Sequence, residues 1–100
     1  MVFVSGMIAL DPATGKMVSG GVQEQTARAL ESLKGVLKAA GTSEKNVVKT
    51  TVFIKDASMY KDMNETYAKF FGKHKPARAT LVTGFPRDDI LVEIDAIASK

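Results

Sequence analysis

The sequence predicts an α+β fold: a mixed sheet with two helices packed on one of its faces. Three observations predict it. Residues 22–40 and 58–71 repeat apolar side chains at steps of three and four, the period of a helix face. Residues 2–6, 47–54, 77–83 and 91–98 are short, apolar and rich in β-branched side chains, as strands are. A chain of 100 residues with only two helices cannot cover both faces of the resulting sheet, so the helices are expected to share one.

The elements follow in the order β-β-α-β-α-β-β. Val2-Phe3-Val4-Ser5-Gly6 reads as the opening strand, and Asp11-Pro12-Ala13-Thr14-Gly15 as a turn. Asp can bond nearby backbone there, Pro fixes φ, and Gly supplies a positive one. Lys16-Met17-Val18 reads as a short returning strand, ended by Gly20-Gly21. In the first helix Val22, Thr26, Leu30, Leu33, Leu37 and Ala40 share a face, and Gly41 stops it. Gly35 inside it costs roughly 1 kcal/mol relative to Ala, which close packing on the sheet would explain.

The strand at 47–54 is apolar on both sides: Val48, Val52 and Ile54 on one, Val47 and Phe53 on the other. Both faces are therefore expected to be covered. With the helices on one side, the other needs a second copy of the chain, which predicts a homo-oligomer. Ser58 is placed to cap the second helix, whose face carries Met59, Met63, Tyr67 and Phe70, with Gly72 at its end. On the last strand Val92, Ile94, Ala96 and Ala98 share the side suited to the helices. Glu93, Asp95 and Ile97 then share the helix-free side. Arg78 and Thr80 share one side of their own strand, which sequence alone does not assign to either face.

Composition narrows the function. Hydrophobic residues at 45% and charged ones at 25% describe an ordinary globular chain, read as a single domain over residues 1–100. No apolar run approaches the roughly 20 residues of a membrane span, and no secretory signal opens the chain. The absence of cysteine excludes disulfides, thiolate nucleophiles and cysteine metal sites, and suits a reducing compartment. One histidine, His74, argues against a zinc site and a Ser-His-Asp set, and reads as a solvated loop residue. The net charge of +3 is spread over Lys34, Lys38, Lys45, Lys49, Lys61 and Lys69, which alternate with acids, so a solvated surface is the main reading and an RNA-binding patch the minor one.

The most informative pair is Arg78, at the start of one apolar strand, and Glu93, inside another. Burying a lone charge is costly. The two residues therefore read either as a prebuilt site or as structural partners in an ion pair. As a site, the arginine fork can hold a carboxylate bidentately and the glutamate can handle a proton.

Taken together, Val4-Ser5-Gly6, Asp11-Pro12-Ala13-Thr14-Gly15, Val48-Lys49-Thr50-Thr51-Val52-Phe53, Asn64-Glu65-Thr66-Tyr67, Pro76-Ala77-Arg78 and Val92-Glu93-Ile94-Asp95-Ala96-Ile97-Ala98 resemble, in order, the RidA family, also called YjgF or L-PSP. The resemblance implies a chorismate-mutase-like fold assembled as a homotrimer, with sites in the clefts between subunits. It implies a 2-iminobutanoate/2-iminopropanoate deaminase. Such enzymes hydrolyse reactive enamines and imines such as 2-aminoacrylate to 2-keto acids and ammonium, with no cofactor and no metal. It also implies roles. Arg78 would bind the substrate carboxylate, and Glu93 would activate or position water. Ser5, Gly6 and Asn64 would line the pocket, where Thr80 keeps a hydroxyl. Family members occupy the cytoplasm, the expected location here, and also mitochondria.

The chain departs from the family pattern in three places. Met1 opens almost directly onto the first motif, where members usually carry a further strand and a Gly-Pro-Tyr-Ser/Val-Gln motif. Ala79-Thr80 stands where many have Ser-Cys or Ser-Thr, and Met7 where a glutamine often follows Ser-Gly. On the residues alone, Ser5 also reads as a strand-end hydrogen-bonding residue, Asn64 as a bridge between elements, and Asp95 as an interface group. Two other functions stand beside deamination: an RNA-cleaving translation inhibitor, and a small-ligand-binding module without turnover.

Overall fold

In the structure, a computed structural model describing residues 1–100, six main elements follow one another: β1 (Val2–Met7), α1 (Val22–Ala39), β2 (Val47–Ile54), α2 (Tyr60–Phe71), β3 (Ala77–Val82) and β4 (Val92–Ala98). The sheet runs β1-β4-β2-β3, with β2 and β3 parallel and the other two pairs antiparallel. The crossover through α2 makes the parallel pair, since parallel neighbours need such a connection. The expected second strand reduces to one bridge, Leu10 to Met17. Its turn is as expected: Asp11 accepts the Gly15 N–H at 2.7 Å through its carbonyl and the Ala13 N–H at 2.9 Å through its side chain. The six residues around that turn hold only a tight loop, too short for a ladder.

Both helices lie on one face. Leu30, Leu33 and Leu37 of α1 and Met63, Tyr67 and Phe71 of α2 form one core with Val52, Ile54, Val92, Ile94, Ala96 and Ala98 of the sheet. Burying each large aliphatic chain there stabilises the fold by roughly 1.5–3 kcal/mol. On α2 the inward stripe continues to Phe71, with Phe70 only partly buried, because a step of four from Tyr67 lands on Phe71. The cap before α2 is Asp56, whose carboxylate accepts the Ser58 N–H at 2.8 Å; Ser58 itself lies within the short 3-10 turn Ala57–Met59. That bond also holds the Asp56 carboxyl below its ordinary value.

Two bulges reset the strand alternation. On β2 the pairing steps from Val47↔Ala98 to Lys49↔Ile97, so Val48 is the extra residue. Val47 therefore enters the core and Val48 turns out of it at 47% exposure, the reverse of strict alternation. On β1 the pairing steps from Val4↔Ala96 to Met7↔Ile94, leaving Ser5 and Gly6 in the bulge.

Gly35 is not packed on the sheet. It lies on the exposed side of α1, and a Cβ added there would meet nothing within 4 Å. Buried Gln25 instead makes the close polar contact of α1. Its amide donates to the Asp89 carbonyl at 2.7 Å and accepts the Leu91 N–H at 2.9 Å, tying down the loop that leads into β4. No helix is long and apolar enough to cross a membrane.

Candidate active site

The candidate residues divide between the two faces of the sheet. Arg78 is paired with buried Thr50, and Thr80 with buried Val52, across the parallel β2–β3 ladder. Paired residues point the same way, so Arg78 and Thr80 lie on the helix side. Glu93 is paired with Phe53 and Asp95 with Thr51, both on the helix-free side, where alternation along β4 places them. Within one chain, Arg78 and Glu93 are thus on opposite faces with β2 between their strands, and they form no ion pair with each other.

On the helix side, Arg78 borders a groove of about 390 Å³ between α2 and β3, lined also by Asn64, Tyr67, Phe71, His74 and Lys75. No carboxylate lines it. The Arg78 guanidinium lies 4.6 Å from the centroid of the Tyr67 ring and 5.7 Å from that of Tyr60, and its Nη2 donates to the Tyr60 hydroxyl at 2.9 Å. Tyr67 is in turn fixed from below, its hydroxyl 2.7 Å from Thr50 Oγ1 in a buried bond and its ring centroid 4.8 Å from that of Phe71. Burial pushes the Tyr67 phenol above its ordinary pKa, against smaller opposing effects of Thr50 and Arg78. It therefore stays a neutral platform under the cation. Thr80 lies further along the same side, outside the residues that line the groove.

His74 is not solvated. It is half-buried, and its Nε2 lies 2.7 Å from the Val47 carbonyl. A carbonyl only accepts, so Nε2 carries the proton. The bond pins the loop before β3 to the bulged start of β2.

On the helix-free side, a shallow depression of about 270 Å³ is lined by Phe3, Ser5, Lys49, Thr51, Asp95 and Ile97 among others. Gly6 sits in the β1 bulge at φ +73°, a backbone region glycine enters without strain, and its N–H donates to Asp95 Oδ1 at 2.7 Å. Asp95 therefore ties the bulge to β4. Glu93, two residues away on the same face, is half-buried. Burial pushes its carboxyl above the ordinary value and the Asp95 charge adds to the shift. Ser5 is exposed at the edge of this face.

The structure therefore gathers Asn64 with Arg78 on one side, and Ser5, Gly6, Asp95 and Glu93 on the other. The helical period marks Tyr67 as part of the apolar face of α2 and gives Tyr60 no role. A signal was present, since residues seven apart on a helix lie on one stripe two turns apart and can flank a single cation. No group of three or more His, Cys, Asp or Glu side chains gathers that could hold a metal ion.

Comparison with known proteins fits this architecture. A RutC family protein of Pyrococcus horikoshii is 45% identical over 98 residues, covering 98% of this chain and 78% of that one. The human 2-iminobutanoate/2-iminopropanoate deaminase is 42% identical over 98 residues, covering 97% and 71%. The crystal structure of E. coli TdcF with bound serine superposes with a TM-score of 0.88 at 38% identity, covering 98% of this chain and 79% of that one. The sequence matches the Endoribonuclease L-PSP family over residues 1–100, and the chain belongs to that family; its relatives carry the names RutC family protein, RidA and 2-iminobutanoate/2-iminopropanoate deaminase.

Proposed function

We propose that the protein is a 2-imino acid deaminase, hydrolysing reactive imines such as 2-iminobutanoate and 2-iminopropanoate to the 2-keto acid and ammonium. One observation carries the reading. Arg78 is held over Tyr67 at the rim of a groove that contains no carboxylate to neutralise it. A guanidinium prepared in this way suits the carboxylate of a small acid, which it can grip bidentately.

The site is completed by a second chain. Glu93, Ser5 and Gly6 serve from the helix-free face of one subunit, Arg78 and Asn64 from the groove of its neighbour, and Thr80 from further along the same strand as Arg78. This arrangement joins two half-sites that one chain keeps apart. It also covers Phe3 and Leu81, apolar residues of the helix-free face left 74% and 46% exposed in the single chain. A homotrimer is the closed assembly that repeats such a heterologous contact with the fewest copies.

The chemistry needs little more. The imine carbon is already electrophilic. Arg78 fixes the substrate by its carboxylate, and orientation is a large share of such a rate enhancement. Glu93 takes a proton from water as the oxygen bonds to the imine carbon, and passes that proton to the nitrogen as the C=N π bond opens. The resulting carbinolamine gives its hydroxyl proton to Glu93 as C=O forms and the C–N bond breaks; Glu93 returns that proton to the departing nitrogen, which leaves as ammonia and is protonated in water. A glutamate raised toward working pH is a better proton acceptor than an ordinary one.

The test is direct. A threonine dehydratase generates 2-iminobutanoate, semicarbazide traps what remains, and decay is followed with wild type or Arg78→Ala. Faster decay with wild type alone is expected. Equal acceleration by Arg78→Ala overturns this mechanism, and saturable ligand binding without acceleration assigns the groove to binding alone.

A further inference from the structure

We infer that Tyr60 and Tyr67 are positioning residues that aim the Arg78 guanidinium, and that the Tyr60 hydroxyl sets how strongly the site prefers a carboxylate over a neutral ligand. The inference rests on the reading of Arg78 as the carboxylate clamp. An exposed arginine samples many rotamers, and each is lost when it grips a ligand. Here most are removed in advance. Tyr67 covers one face of the guanidinium at 4.6 Å, Tyr60 approaches at 5.7 Å, and the Tyr60 oxygen accepts from Nη2 at 2.9 Å. Arginine has five N–H donors in a rigid plane. Using one on Tyr60 fixes the rotation of the plane and leaves the others for a ligand in the groove.

The support is anchored in the fold. Tyr67 stands on Thr50 through a 2.7 Å buried bond, and Thr50 is the β2 residue paired with Arg78 itself. A closed circuit results, from Thr50 on β2 to Tyr67 on α2 to Arg78 on β3. Tyr60, two helical turns before Tyr67, completes the cradle from the solvent side at 43% exposure. Tyr60 can therefore be changed without opening the core.

The test uses 2-oxobutanoate, the stable product-like acid, and its neutral amide as probes, with Kd from NMR titration and KM and kcat from imine decay. Thermal unfolding checks each variant. Tyr60→Phe keeps the ring and removes the hydroxyl. It is expected to raise the KM and the Kd for the acid about three- to tenfold, the worth of one hydrogen bond to a charged group at a solvent-exposed site. The Kd for the amide is expected to stay unchanged, and kcat to fall less than the KM rises. Tyr60→Ala removes the second ring and is expected to go further in the same direction. If both variants keep the preference for acid over amide while Arg78→Ala loses it, the cradle is overturned and the clamp stands. Equal weakening of acid and amide overturns it too, because that marks a merely structural role. If Arg78→Ala leaves acid binding unchanged, the clamp itself is wrong and the cradle falls with it.

Discussion

Arg78 sits against two tyrosine rings in a groove that its own chain builds, whereas Glu93 sits on an open sheet face beside a second carboxylate. The cation is supported and the anion is strained. Aromatic faces and one neutral hydroxyl stabilise a guanidinium where it stands. Partial burial and the Asp95 charge both work against an ionised Glu93. On the proposed reading this face, which also leaves Phe3 exposed, is the half-site that a second chain completes. The difference teaches how the proposed site divides: the groove supplies the carboxylate clamp, and the helix-free face supplies the proton chemistry across a subunit contact.

The largest expected effect tests that division. Arg78→Ala and Glu93→Gln should each reduce imine hydrolysis by about a hundredfold or more, the usual cost of losing a positioning or proton-transfer group. Co-assembled in equal amounts, the two inactive chains should recover about a quarter of wild-type activity. In a ring where each site draws one residue from each neighbour, that share of sites keeps both. No recovery in doubly tagged mixed oligomers breaks the comparison, because both residues would then have to serve from one chain.

Next in size is the foundation of the groove. Thr50→Val leaves the buried Tyr67 hydroxyl without its partner, and an orphaned buried hydroxyl costs about 1–3 kcal/mol. The double change Thr50→Val with Tyr67→Phe removes both polar groups and should recover most of that loss. Urea unfolding of the single and double variants measures the difference. A double variant as unstable as the single would mean that the bond is not what Thr50 contributes.

The helix-free face is sharpened by pH. If Glu93 must be ionised, activity falls as pH drops through its raised pKa. Asp95→Asn keeps an oxygen to accept the Gly6 N–H but removes the charge. The acid limb of the rate profile should move to lower pH. It should stop short of an ordinary glutamate, because burial is the larger cause. Stability follows the same sign. A carboxyl with a raised folded pKa binds its proton more tightly in the folded state. Its cost is therefore absent below the ordinary glutamate value of 4.5, grows as pH rises through the raised one, and is fully present above it. Glu93→Gln should be least disturbing to stability in acid and relatively stabilising at neutral pH, as thermal unfolding across pH would show.

The smallest effect lies away from both faces and serves as their control. Gly35→Ala adds a methyl group in open space on α1 and should stabilise the fold by about 0.5–1 kcal/mol, a Tm gain of a few degrees, with imine hydrolysis unchanged. A loss of stability would show that α1 packs against a partner at that point.

The sequence by itself determined both helices, the four main strands and the face of Glu93, though not the loss of the returning strand at Lys16-Met17-Val18 to a single bridge. The helices and strands follow from local periods, and β4 alternates without interruption from Val92 to Ala98, so parity alone puts Glu93 and Asp95 opposite the core. Only the tertiary structure decided the face of Arg78, because β3 is an edge strand whose register is set by the crossover through α2 and its pairing with β2. Local alternation on β3 links Arg78 to Thr80 but gives no absolute direction. The bulges at Val48 and at Ser5 and Gly6 were decided in the same way, since an extra residue reverses parity wherever filling the core demands it. His74 followed suit, because its partner, the Val47 carbonyl, lies 27 residues away in sequence. Period is a property of neighbouring residues. Register belongs to strands that meet only when the chain has folded.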